Sequence, residues 1–179
     1  MAEMVAVLDD CGMETGVSVT REEAHSKSLL HRIAIACIID SDNRILMQHR
    51  APGKKLHPNK WDLSVAAHVL TGEESVGTIV REMNEEIGFQ MERKIHARDF
   101  RFIASFRQDM VLPDRTECHW YDLFVVIKDL DSTQLRFTDS EVDGIKWCNY
   151  SEIMQMKDND ELFPRIGWIP YVFRFINKF

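Results

Sequence analysis

The apolar residues of this chain recur with two periods, and the places where one gives way to the other outline its elements. Met4 to Leu8 reads as a short strand, Asp9, Asp10 and Gly12 as a turn, and Val17 and Val19 as the centre of a second short strand. Thr20 stands as an N-cap with Glu23 three residues on, as in a capping box, which predicts a short helix over 21–26. Arg32 to Ile39 is apolar and β-branched through Ile33, Ile35, Ile38 and Ile39, the composition of a central strand. Asp40 to Asn43 then turns the chain, and Arg44 to His49 returns as its hairpin partner. Residues 51–60, punctuated by proline and glycine, form a basic loop, and Trp61 to Val69 is strand-like. From Glu73 to Ile87 the period changes: Val76, Val80, Met83 and Ile87 recur at spacings of four, three and four, one stripe of an α-helix. Gly88 ends that helix as a residue tolerant of the left-handed conformation.

Beyond Gly88 the period of two returns. Arg98 to Arg107 alternates Phe100, Phe102, Ala104 and Phe106, a half-buried strand. A loop over Met110 to Asp114 leads to a strand from Glu117 to Ile127, and Glu141 to Asn149 forms a short strand around Ile145 and Trp147. Tyr150 to Gln155 begins a helix behind Ser151, and the aromatic-rich tail is helical from about Trp168, after Pro164. Hairpins mixed with two or three helices, without regular βα crossovers, predict an α+β architecture.

Composition narrows the class. With 45% hydrophobic and 28% charged residues among 179, the chain fits one globular domain over 1–179 with room for a proper core. A net charge of −7 argues against a nucleic acid polymer as partner, though not against a phosphorylated small molecule bound by local lysines and arginines. Cys11, Cys37, Cys118 and Cys148 show no paired spacing, and no apolar run reaches membrane length. The expectation is a reducing, cytoplasmic setting with no membrane partner. Nothing in the pattern sets an oligomeric state.

The chemistry concentrates on the helix after Val69. Glu82 and Glu86 lie one turn apart and Glu85 three residues from Glu82, so three carboxylates crowd one face. They repel one another unless a cation sits among them, and hard oxygen ligands suit Mg²⁺ or Mn²⁺. Arg81, between the acidic face and the buried stripe, can bond Glu85 or reach back to Glu73. The run from Ala67 to Phe89 resembles a Nudix box: Gly, five residues, Glu, seven residues, Arg-Glu, an aliphatic residue, one residue, Glu-Glu, one residue, Gly and an aliphatic or aromatic residue. Glu73, Arg81, Glu82, Met83, Glu85, Glu86, Gly88 and Phe89 fall in place and only the first glycine departs, as Ala67, a match at eight of nine defined positions. A solvated acidic helix face, the competing reading, would not fix Glu73, Arg81 and Gly88 as well. The resemblance implies the Nudix fold, a mixed β-sheet sandwiched between α-helices.

The likeness extends over nearly the whole chain and points to one branch. His49-Arg50-Ala51, Lys54-Lys55, Pro58, Trp61 and the run Ser64 to His68 resemble the phosphate-binding and active-site stretch of isopentenyl-diphosphate isomerase, a Nudix-fold enzyme. That reaction protonates and deprotonates carbon, and the family's cysteine falls here at Ala66 and its tyrosine at Phe102, neither with a proton to exchange. The isomerase set is lost and the hydrolase set retained. The resemblance therefore implies a Mg²⁺-dependent (or Mn²⁺-dependent) hydrolase of a diphosphate linkage in a nucleoside diphosphate derivative or related organic diphosphate. The alternatives are an isomerase-like enzyme and an inactive phospholigand-binding module.

The roles implied are specific. Glu82 and Glu86 are the principal metal ligands, Glu85 binds directly or through water, and the backbone carbonyl of Ala67 contributes a further oxygen; if that position needs φ > 0, alanine there is strained. Arg81 orients the carboxylates, and Glu82, Glu85, Glu117 and Glu141 are all candidates for the general base. Arg50, Lys54 and Lys55 supply donors to the distal phosphates. His68 bonds a phosphate or holds a second metal. Glu117 and His119 share one strand face. With His25, His31 and His68 they can rebuild an auxiliary metal site like the isomerase's, His119 standing where that family has a glutamate. Such a set suits Zn²⁺ or Mn²⁺ better than Mg²⁺. The plainer reading is that these histidines are exposed or capping side chains.

Overall fold

A computed structural model of the protein describes residues 2–87, 97–131, 141–164 and 166–176, without the side chains of Glu86, Ile87 and Ala97. Gly88 and Phe89, with the expected helix stop, lie outside the described residues, as does the carboxylate of Glu86. Strands β1 (Met4–Leu8) and β2 (Glu14–Thr20) pair antiparallel as a separate small sheet. Helix α1 (Arg21–Ser26) follows at once, its cap the Thr20 hydroxyl accepting from the Glu23 amide at 3.1 Å. Only that half of the expected capping box forms, for the Glu23 carboxylate takes Lys27 instead, at 2.7 Å.

The main sheet is mixed and centres on β3 (His31–Ile39). One edge of β3 pairs in parallel with β8 (Thr116–Ile127), which pairs antiparallel with β7 (Phe100–Val111). Its other edge is shared: β4 (Ile45–Arg50) meets it only at Ile39↔Ile45 and then splays away, while β6 (Val65–His68) pairs with Ile33 to Ala36. The hairpin expected between β3 and β4 is therefore a single contact, and β4 pairs instead with β5 (Trp61–Asp62) and β9 (Val142–Cys148). The strand expected over 61–69 is cut in two where the chain changes partner. At that point the Ser64 hydroxyl accepts from the Ile38 amide at 2.8 Å and donates to the Leu46 carbonyl at 2.5 Å, bridging the splayed strands.

Because side chains alternate across a sheet, β3 serves two cores. Ile33, Ile35, Cys37 and Ile39 pack with Tyr121, Leu123 and Val125 under α3 (Tyr150–Asp158) and α4 (Ile169–Ile176). Ala34, Ala36 and Ile38 face α2 (Ser75–Ile87). The buried residues of α2 are Ser75, Thr78, Ile79 and Met83, so the expected stripe of Val76, Val80, Met83 and Ile87 is rotated, keeping only Met83 as a described buried member. Polar bonds turn it: the Ser75 hydroxyl donates to Asp122 at 2.6 Å and the Thr78 hydroxyl to Glu73 at 2.6 Å. Asp122 also accepts from Arg32 at 2.9 Å and Ser105 at 2.6 Å, tying α2 to β3, β8 and β7.

Two further expectations shift. A bulge at Ile103 breaks the regular alternation of β7: Phe102 pairs with Phe124 on the α2 face, whereas Ala104 and Phe106 pair with Leu123 and Tyr121 on the other. The β7–β8 connection is also shorter than expected, a tight turn closed by the Leu112 amide on the Arg115 carbonyl at 2.8 Å. Helix α3 is capped not by Ser151 but by Asn149, in a reciprocal box with Glu152 (3.0 and 2.9 Å). Among the described residues no helix is long and apolar enough to cross a membrane.

Candidate active site and metal centre

One cleft of about 870 Å³ opens where β3 and β8 begin and β6 ends. Its walls come from α1, the 51–60 loop, the 112–115 turn and the side of α2 bearing Arg81 and Glu82.

Strand register explains how its histidines meet. His31 pairs directly with His119 across β3–β8, and Ile33, two residues on from His31, pairs with His68 across β3–β6. A period of two puts His31, His68, His119 and Glu117 on one face, and α1 lays His25 over them. The ligating nitrogens of His25, His31, His68 and His119 lie within 4.8 Å of one another. Glu117, 1% exposed, faces His25 Nδ1 with Oε2, the same oxygen lying 3.7 Å from His119 Nε2. Capping or exposed histidines would not converge in this way.

The outer nitrogens are fixed so that the inner ones face one another. His31 Nδ1 donates to the Leu29 carbonyl at 2.7 Å, leaving Nε2 fully buried without a partner. His119 Nδ1 is 3.0 Å from the Tyr121 hydroxyl, which also leaves Nε2 inward. His25 Nε2 and His68 Nε2 stand 3.0 Å apart, close for two nitrogens that can each present a lone pair. Burial pushes the His31 pKa down to about 4, the bond to Leu29 opposing it and the neighbouring His25 adding to it. Desolvation, then the positive charge of Arg21, holds His68 well below the ordinary imidazole range. His31 and His68, kept neutral by burial, converge with His25 and His119 beside a buried carboxylate, an arrangement suited to a divalent cation. The donor set fits Zn²⁺ or Mn²⁺.

The acidic helix supplies the second feature. Arg81 donates to Glu73 (2.9 and 3.1 Å), Glu82 (2.6 Å) and Glu85 (3.2 Å), both of the arrangements expected for it. Its bonds hold Glu73 below the usual carboxylate range. Glu82, its side chain 19% exposed, lines the cleft, and desolvation raises its pKa against the pull of Arg81. Glu85 is 55% exposed and outside the cleft lining. Ala67 lies in extended strand conformation in β6, so alanine is unstrained there, and it too lines the cleft.

The basic loop divides its labour. Lys54 pairs with Glu141 at the cleft and Lys55 lines it with its charge exposed. Arg50 also borders the cleft, but its guanidinium donates to the carbonyls of Leu56 (2.8 Å) and His57 (3.2 Å) and lies 4.9 Å over the Phe163 ring. It therefore shapes the loop as well as charging the wall. Ala66 lines the cleft with its methyl group, whereas the bulge at Ile103 leaves Phe102 against Phe124, 56% exposed and outside the lining. Arg21, Arg115 and Tyr121 line the cleft without having been singled out from sequence. Arg115 and Tyr121 were signalled by parity, since 115, 117, 119 and 121 alternate onto one face.

A mixed sheet between helical layers carries an Arg-anchored acidic helix and a convergent histidine set around one cleft. The family model described as the NUDIX domain matches residues 29–167, and the chain belongs to that family, with its Nudix hydrolases. Nudix hydrolase 3 of Arabidopsis thaliana is 25% identical over 92% of this chain, which spans only 21% of the plant protein's length. An isopentenyl-diphosphate Delta-isomerase of Haloarcula marismortui is 27% identical over 94% of the chain and 86% of its own. The crystal structure of DR0079 from Deinococcus radiodurans superposes with a TM-score of 0.70 at 20% identity, covering 96% of this chain and 98% of that one, a likeness of fold.

Proposed function

We propose that the protein is a divalent-cation-dependent hydrolase that splits a diphosphate linkage in a nucleoside diphosphate derivative or related organic diphosphate. The observation that carries this reading is the sharing of one cleft by Glu82 of the box helix and by His25, His68 and His119, with His31 buried behind them in the same cluster. We assign Glu82, Glu85, Glu86 and the Ala67 carbonyl to Mg²⁺ or Mn²⁺, and the histidines with Glu117 to a second, nitrogen-rich cation site. Bound cations would neutralise phosphoryl oxygens and acidify a water. The chain's own contribution is positioning. Arg81 fixes the carboxylates, Lys54 and Lys55 face the distal phosphate, and Arg50 holds their loop. Of the four candidate general bases, Glu82, Glu117 and Glu141 line the cleft and Glu85 does not.

The substrate's organic part meets Leu56, Leu70 and Met110, an aliphatic wall, while the cleft's described aromatic rings, Tyr121 and Phe163, are buried at 2% and 4% exposure. This favours an organic diphosphate whose non-phosphate part does not stack. The test is a screen of nucleotide sugars, dinucleotides, nucleoside triphosphates and prenyl diphosphates with Mg²⁺, Mn²⁺ and Zn²⁺, repeated on Glu82→Gln and Glu86→Gln. Each variant should lose at least a hundredfold in kcat while keeping the wild-type circular dichroism spectrum. Full activity in both would overturn the assignment of the box carboxylates.

A further inference from the structure

Glu117 presents its two carboxylate oxygens to different partners. Oε2 faces His25 and His119, while Oε1 accepts from Arg115 Nε at 2.6 Å. Arg115 is itself held: its Nη1 donates to Asp114 at 2.9 Å, and the turn that carries it is closed by the Leu112–Arg115 backbone bond at 2.8 Å. Its side chain is 28% exposed and borders the cleft. A carboxylate this deeply buried would be a poorly compensated charge without a cationic neighbour.

We propose that Arg115 is a positioning residue for the histidine–glutamate cation site, holding Glu117 so that one oxygen alone is offered to the ion. This rests on reading the cluster as a cation site. Four ring nitrogens and one carboxylate oxygen would offer the ion five protein donors, and the second oxygen of Glu117 would be a sixth. If Oε1 were released, the carboxylate could turn both oxygens inward and complete the set with protein atoms. With Arg115 on Oε1, room is kept for a water or a substrate oxygen. The guanidinium suits the task because its fork fixes direction as well as charge, which a lysine ammonium does less well.

The experiment uses the full chain stripped by chelator and titrated with Zn²⁺ and Mn²⁺ against a competing chromophoric chelator. Visible spectra of the Co²⁺-loaded protein report coordination number. Arg115→Ala should weaken Zn²⁺ affinity by about ten- to a hundredfold, the range for loss of a group that orients a metal ligand. It should also change the Co²⁺ band intensities, with Arg115→Lys recovering part of both effects. These readouts are taken without substrate, so a role of Arg115 in phosphate binding would not move them. Should Arg115→Ala fail to fold, Arg115→Gln, which keeps a donor without the charge, carries the same comparison. Wild-type affinity and an unchanged Co²⁺ spectrum in the folded variants would overturn the proposal while leaving the cation site standing. A wild-type protein that binds none of the three ions would overturn both.

Discussion

Replacing His31 by leucine separates what that ring does for the fold from what it does for a bound cation. In metal-free protein at pH 7 the substitution removes a buried, unpartnered Nε2, relieving roughly 1–3 kcal/mol, and forfeits the bond to the Leu29 carbonyl, about 1 kcal/mol. The variant should therefore lie within about 1–2 kcal/mol of wild type. Its response to acid should differ more. The folded pKa of His31 is pushed from 6.5 down to about 4, so between those values the unfolded chain takes up a proton that the folded one refuses. Lowering the pH through that window destabilises the fold, and the loss saturates below about 4. At about 1.4 kcal/mol per pH unit, the window is worth roughly 3 kcal/mol for this one ring. His31→Leu should flatten the pH dependence by about that much. Added Zn²⁺ at a hundred times its Kd should stabilise wild type by about 2.7 kcal/mol, raising Tm by roughly 5–10 °C, and stabilise the variant far less. Urea unfolding followed by circular dichroism from pH 7 to pH 4, with EDTA or with Zn²⁺, measures each quantity. A variant with the full Zn²⁺ stabilisation and the wild-type acid slope would refute the reasoning.

Two other substitutions test the frame around the cleft. Asp122→Ala leaves the Arg32 guanidinium and the hydroxyls of Ser75 and Ser105 without their shared acceptor; it should cost about 3 kcal/mol, a fall in Tm of roughly 6–12 °C by thermal melts, with Asp122→Asn milder. Ala66→Cys combined with Phe102→Tyr restores the side chains of the related isomerase, yet the new hydroxyl would stand beside Phe124 on the α2 face. With isopentenyl diphosphate in D₂O this double variant should place no deuterium on carbon, and any incorporation detected by mass spectrometry would contradict the placement.

Local signals carried much of this architecture. The β-branched run of β3, the Thr20 cap and the Pro/Gly punctuation of the 51–60 loop each act over a few residues, and each lies where its chemistry indicates. Arg81 meets both acidic partners expected of it: helical spacing brings Glu85 within reach, and Glu73 approaches from the turn before the helix. What escaped depends on partners distant in sequence. The break at Ser64 arises because β3 and β4 splay, and the apolar pattern runs through it unaltered. The rotation of α2 follows from Asp122, a residue of a strand far along the chain, taking a bond from Ser75. The bulge at Ile103 reverses which phenylalanines share a face, and no alternation within β7 announces it. At the site, the family resemblance grouped the histidines with Glu117, but strand spacing alone joined only Glu117 to His119. Their convergence required the parallel pairing of β3 with β8, which sets His31 opposite His119.

The four clustered histidines and Glu117 beside them come from four separate elements: His25 from α1, His31 from β3, His68 from β6, and Glu117 and His119 from β8. Helix α1 spans only six residues, too few to hold a helix in water on their own. An ion gripped by these rings would thus clasp the amino-terminal strap to the sheet. Loading the ion and ordering the strap would then be one equilibrium, and a chelator would act on this protein as a gentle, local denaturant.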